Sequence, residues 1–190
     1  NQTEWWRKAA GFCLKCEGDI CIATGGKNNC FSKFVSDMAV ALISMDVCIE
    51  VIEYGGSYIA HLEDIYTGNG VKPHRLNKTS LIKAIHIPVN ENFRSVFKKL
   101  RLRESMDFGS LTTAVTINKF GKIKIVLGCV DPQPIIIEGS YKESKEEMIR
   151  LAVKKSRIVD NDVFSRKYRK EMVEVFLNRS FDELSLIKNK

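Results

Sequence analysis

The stretch Leu111-Thr112-Thr113-Ala114-Val115-Thr116-Ile117-Asn118, the link Lys119-Phe120-Gly121, and the run Ile123-Lys124-Ile125-Val126-Leu127-Gly128-Cys129-Val130 decide the fold class. Both runs are short, rich in β-branched residues and closed by turn residues, so they read as strands of one antiparallel pair. Asp131-Pro132 ends the second, and a third strand is expected over Gln133–Glu138. Two amphipathic helices follow. Ser144–Ile158 carries Met148, Ile149, Ala152 and Val153, and Phe164–Leu177 carries Phe164, Tyr168, Met172, Val175 and Phe176 at helical spacing. A three-stranded antiparallel sheet followed by two helices makes a small α+β domain over residues 94–190, with its boundary near residue 93.

Upstream, Ser36 or Asp37 caps a short helix through Ala39, Val40, Leu42 and Ile43. Cys48–Tyr54 alternates as a strand, Gly55-Gly56 turns it, and Ser57–His61 returns beside it. Leu62–Tyr66 leads into the loop Thr67-Gly68-Asn69-Gly70, and Ser80–Pro88 alternates as a further strand. Residues 1–34 are rich in Cys and Gly and have no regular period.

The 190 residues are 44% hydrophobic and 28% charged, ordinary for a globular protein. No apolar run approaches the roughly 20 residues that cross a bilayer, and nothing at the start reads as a signal peptide, so a cytoplasmic location is expected. The net charge of +7 is spread along the chain, densest at Arg94–Arg103 and Arg166–Lys170. No stretch interleaves cations with aromatics as a nucleic-acid face does. Neither nucleic acid nor membrane is an expected partner. No Gly-x-Gly-x-x-Gly or P-loop occurs, and His61, His74 and His86 stand apart with no motif around them.

Cys13, Cys16, Cys21 and Cys30 fall within one Gly-rich segment, whereas Cys48 and Cys129 sit inside apparent strands and read as core residues. Four cysteines in a loop of a cytoplasmic protein point to a metal or cluster rather than to disulfides. Thiolates suit both iron–sulfur clusters and zinc, and spacing alone does not choose between them.

Several segments together resemble the flavin subunits of the xanthine dehydrogenase, or molybdenum hydroxylase, family. They are Trp5-Trp6-Arg7-Lys8, Phe12-Cys13, Gly18-Asp19-Ile20-Cys21, Cys30-Phe31, Ser36-Asp37 with Ala41-Leu42, Tyr66–Gly70 and Ile85–Pro88. Phe97-Lys98, Arg103, Asp107-Phe108 and Gly128–Pro134 continue the likeness to the family's C-terminal flavoprotein domain. The segments resemble the 4-hydroxybenzoyl-CoA reductase branch of that family.

The resemblance implies that residues 1–93 are the second half of a vanillyl-alcohol-oxidase-type FAD-binding domain, with a cluster insert over about residues 1–34. It implies a 4Fe-4S cluster on Cys13, Cys21 and Cys30, with Cys16 extra to the pattern and either bystander or substitute. The fourth ligand, and the glycines that cradle the FAD diphosphate, would lie before Asn1, so the chain is expected to be a piece of a larger or split subunit. Asp37, Ile82 and Lys98 would contact FAD: Asp37 at its ribityl or ring edge, Ile82 on the flavin face, Lys98 near the carbonyl edge. Arg103 would pair with Asp107.

The partners implied are an N-terminal FAD-binding segment or chain, a small 2Fe-2S subunit and a large molybdopterin subunit. The substrate chemistry would sit on the last of these. The function expected is electron transfer within an oxidoreductase complex. A non-catalytic scaffold and a zinc-stapled interaction module are the two rival readings.

Overall fold

A computed structural model describes residues 3–26, 28–89 and 92–186. Two antiparallel sheets and four helices make up the fold. Helix α1 (Glu4–Ala9) precedes the cysteine segment, and α2 (Asp37–Ser44) follows it. Strands β1 (Cys48–Glu53), β2 (Gly56–His61) and β3 (Leu81–His86) form the first sheet, in the order β2-β1-β3. Strands β4 (Arg94–Leu100), β5 (Leu111–Ile117), β6 (Lys122–Gly128) and β7 (Ile135–Ser140) form the second, in sequence order. Helices α3 (Lys145–Lys155) and α4 (Arg166–Leu186) close the chain.

The second sheet corrects one expectation: it has four strands, not three. The missed strand is β4, whose residues Arg94, Lys98 and Lys99 read as a basic stretch. In place, each cation has a partner. Arg94 donates to the Leu184 carbonyl and the Tyr141 hydroxyl, Lys98 pairs with Glu183, and Lys99 with Asp37. An edge strand tolerates lysines because one side of it meets solvent, so its alternation is half hidden by charge.

The central strands β5 and β6 are buried on both faces, which is why their sequences are apolar runs rather than clean alternations. Leu111, Val115, Ile117, Ile123, Ile125 and Leu127 face α3 and α4 in the larger core. Ala114 and Val126 point the other way, toward Ala39, Val40 and Ile43 of α2 and Ile49 and Val51 of β1. One core therefore spans residues from both sides of position 93.

Lys124 stitches the same interface. Its side chain is 3% exposed and reaches Asp46 at 2.6 Å, Glu63, and Glu138 at 3.6 Å. A lysine buried this deeply is retained only when carboxylates surround it. Helix α2 starts where Ser36 Oγ accepts from the Ala39 amide at 3.1 Å, as capping chemistry requires. No described helix is long and apolar enough to cross a membrane.

Candidate functional site

The cysteine segment is folded by backbone constraints more than by packing. Thr3 caps α1 by accepting from the Trp6 amide at 3.1 Å, and no residue of that helix is buried. The carbonyl of Cys13 then accepts from the amides of Cys16 at 2.7 Å and Gly18 at 3.1 Å, closing a tight turn. A Cβ on Gly18 would lie 1.8 Å from the Phe12 carbonyl oxygen, so only glycine fits there. Cys21 opens a 3-10 turn over Ile22–Thr24, and its carbonyl accepts from the amides of Thr24 and Gly26, both at 3.2 Å. The segment from Phe31 docks onto the C-terminal unit. Phe34 donates to the Asp131 carbonyl at 2.8 Å, Cys129 donates back to Phe34 at 3.0 Å, and Asn161 donates to the Phe31 carbonyl at 3.3 Å.

This arrangement brings Cys13, Cys21 and Cys30 to the wall of one cavity of about 250 Å³, with Trp6, Phe31 and Asn161 among its other walls. That space is several times the about 30 Å³ that one water occupies in the liquid. Cys16 is buried but does not line it. Backbone amides point at two of the sulfurs: Phe31 N–H donates to Cys21 Sγ and Ser32 N–H to Cys30 Sγ, each at 3.4 Å. Amide donors to sulfur stabilise thiolate over thiol and tune the potential of a centre that the sulfur binds.

Gly70 closes the cysteine segment from a distant loop. Its amide donates to the Cys30 carbonyl at 3.0 Å, and a Cβ there would stand 2.8 Å from Cys30 Sγ and 2.9 Å from the Ser32 nitrogen. A glycine in a loop signal is visible in sequence; its approach to a cysteine forty residues earlier is a tertiary fact.

A donor set of soft thiolates with amide hydrogen bonds suits an iron–sulfur centre. Among the described residues no three His, Cys, Asp or Glu side chains are grouped closely enough to hold a single metal ion.

The three residues expected at the flavin do not share one surface. Asp37 opens α2 and pairs with Lys99 at 2.5 Å. Lys98 lies on the opposite face of β4, with Val96 and Leu100, and pairs with Glu183 of α4. Ile82 is exposed on the edge strand β3. Arg103 does meet Asp107, at 3.2 Å through its guanidinium and 3.1 Å through its backbone amide, and these bonds hold the Asp107 carboxyl below its usual range.

A larger concavity of about 570 Å³ adjoins the cysteine cavity through Asp160 and Asn161. Lys33 and Asp162 pair on its wall, and Ser110 donates to Asp162 at 2.6 Å. Burial alone would raise the Asp162 carboxyl, but the hydrogen bonds from Lys33 and Ser110 outweigh it and hold the group below its ordinary value. Cys129 is fully buried, and burial pushes its thiol up, which leaves it an unreactive core residue as expected.

No protein-family profile matches the chain. Over 120 residues it is 31% identical to the FAD-binding subunit of aldehyde oxidoreductase from Escherichia coli K12, covering 61% of this chain and 38% of that protein. Over 163 residues it is 26% identical to the glyceraldehyde dehydrogenase medium chain of Sulfolobus acidocaldarius, covering 79% of this chain and 57% of that one. The chain is similar to the FAD-binding subunit of one oxidoreductase and to the medium chain of another. The fold agrees. A chain of CO dehydrogenase from Oligotropha carboxidovorans superposes with a TM-score of 0.65 at 20% identity, covering 77% of this chain and 55% of that chain. The chain thus spans about half the length of the curated relatives and the solved structure it matches.

Proposed function

We propose that the chain is the C-terminal part of an FAD-binding electron-transfer subunit in a molybdenum-containing oxidoreductase complex, and that Cys13, Cys21 and Cys30 hold a 4Fe-4S cluster. The observation that carries the cluster is the shared cavity: three cysteines line it, two of them under backbone N–H donors, while Cys16 is not among its lining residues. The fourth ligand comes from protein outside the chain, which makes Cys16 the bystander. All six cysteines are free, in keeping with a reducing, cytoplasmic setting.

FAD, when bound, supplies the chemistry that joins two-electron and one-electron carriers. Its diphosphate is held by an N-terminal segment or chain. The first sheet is built to receive one: both β2 and β3 are open edges, and Ile59, Leu81, Ile82 and Ile85 are exposed along them. Asp37 and Ile82 contribute to the flavin site from this chain. The cation that accompanies Asp37 is Lys99, since Lys98 is turned toward α4. Further partners are a small 2Fe-2S subunit and a large molybdopterin subunit where substrate reacts. The insert favours a 4-hydroxybenzoyl-CoA reductase-like complex, in which electrons enter through the cluster. A pure scaffold leaves the amide donors on sulfur without a role.

The test is Cys21→Ser in the assembled complex. Iron per complex should fall by the cluster's share while the far-UV spectrum of the four-stranded unit is retained. Unchanged iron would return the cysteines to the scaffold reading.

A further inference from the structure

Cys16, which the cavity leaves out, shares a tight turn with Cys13. In Cys13-Leu14-Lys15-Cys16 the Cys16 amide donates to the Cys13 carbonyl at 2.7 Å, and the Gly18 amide donates to the same oxygen at 3.1 Å. A turn closed by such a bond holds the Cα atoms of its first and fourth residues within about 7 Å. Disulfides join Cα atoms about 4.4–6.8 Å apart. Among the described residues no other two cysteines are joined by a backbone hydrogen bond.

The turn is held in that shape from both sides. The Leu14 amide donates to the Ile20 carbonyl at 3.0 Å, and Cys13 forms a parallel bridge with Ile20. Phe12 and Glu17 bracket the pair, and both have a φ of 56°, in the left-handed region. Non-glycine residues keep that backbone only where the surrounding structure dictates it, and they gather at functional sites.

The two sulfurs differ in access and in company. Cys13 is partly exposed and lines the cavity, whereas Cys16 is only 6% exposed. The sulfurs of Cys21 and Cys30 each accept a backbone amide, but no described group donates to the sulfur of Cys13 or Cys16. An accessible thiol with a covered one three residues on suits thiol–disulfide exchange: the first meets the incoming disulfide, and the second displaces the leaving group.

We propose that Cys13 and Cys16 form a reversible dithiol–disulfide pair, oxidised by low-molecular-weight disulfides of the glutathione class. The proposal needs no metal and is independent of the cluster reading above. In the first step the Cys13 thiolate attacks one sulfur of the small disulfide, making a mixed disulfide and expelling one small thiolate. In the second the Cys16 thiolate attacks the Cys13 sulfur, closing the protein disulfide and expelling the other. The protein gives up two electrons and two protons, and the small disulfide leaves as two thiols. The closed pair takes the Cys13 thiol off the cavity wall. Oxidation of the turn and a ligand bound through Cys13 therefore exclude each other.

The experiment uses the assembled complex, stripped by a chelator and shown to be free of iron. It is treated with excess oxidised glutathione, quenched in acid, alkylated, digested with trypsin and mapped by mass spectrometry. Trypsin cuts after Lys15, between the two cysteines, so the bond is read as two peptides held together, one ending at Lys15 and one beginning at Cys16. The linked peptides are expected, with alkyl label on Cys21 and Cys30. Cys16→Ser should abolish the link and leave glutathione on Cys13. Cys21→Ser should retain the link, which guards against a loop merely loosened by substitution. Three results would each overturn the proposal: a Cys13–Cys21 link with label on Cys16, glutathione remaining on Cys13 of the unaltered protein, or Cys13 and Cys16 both alkylated. Iron measured before stripping keeps the two readings apart. A linked turn in a complex that never held cysteine-bound iron refutes the cluster and leaves the pair. Cysteine-bound iron, with no link once it is removed, refutes the pair alone.

Discussion

Arg169 is the side chain whose removal should cost the fold most. It is fully buried, without a carboxylate in contact, and its guanidinium bridges three loops. Nε donates to the Ser110 carbonyl at 2.9 Å, Nη2 to the Cys129 carbonyl at 2.5 Å, and Nη1 to the Val159 carbonyl at 3.2 Å. Val159 keeps a second donor in the Asn161 amide at 2.9 Å, so Arg169→Met orphans chiefly the other two carbonyls. At about 1–3 kcal/mol for each buried acceptor left unmade, the loss is about 2–6 kcal/mol. A domain has about 5–15 kcal/mol in all, so this is a severe lesion.

Arg169→Lys should be nearly as harmful, because one compact ammonium cannot span carbonyls that a planar fork reaches together. Urea unfolding followed by far-UV circular dichroism measures both, with the slope m expected to be unchanged. A loss below about 1 kcal/mol in the Met variant, or full recovery in the Lys variant, would refute this account of the bridge.

Gly70→Ala forces a methyl into contact with Cys30 and the Ser32 backbone. The overpacking should cost about 1–3 kcal/mol locally and lower cluster iron, while Gly55→Ala, where nothing lies within 4 Å but φ is +104°, should leave iron unchanged. The Asp162 carboxyl is held low when folded, so the stability that its pairing with Lys33 and Ser110 supplies is fully present above about pH 4, the ordinary unfolded value, and is lost as pH falls through the lower folded value. Asp162→Asn should therefore flatten the acid limb of a stability–pH curve, and an unaltered limb would deny the shift. Lys99→Ala should lower the flavin potential of the assembled complex by about 30 mV, equivalent to about 1.4 kcal/mol for two electrons. Lys98→Ala should do so far less, and the reverse ranking would restore Lys98 to the flavin.

The elements that sequence makes plain are those with a single strong periodicity. Strands β1, β5 and β6, the cap at Ser36 and the two C-terminal helices all follow from apolar spacing and turn residues. Strand β4 did not, because its buried set is only Val96 and part of Leu100, and charges that find partners in space read as solvated ones along the chain. The same omission bears on the choice between the two lysines. Once residues 94–100 are a strand, period two puts Lys98 with Val96 and Lys99 with Asp37. The site shows the same division. The family resemblance nominated Cys13, Cys21 and Cys30, but the amide donors and the approach of Gly70 depend on residues brought together from separate segments.

Anomalous scattering across the iron edge, from crystals of the assembled complex, tests the central claim most directly. A strong iron peak is predicted inside the cavity bounded by Cys13, Cys21 and Cys30, with Cys16 outside bonding distance of it. A cavity with no anomalous signal, or with a peak that follows the zinc edge instead, would contradict the claim.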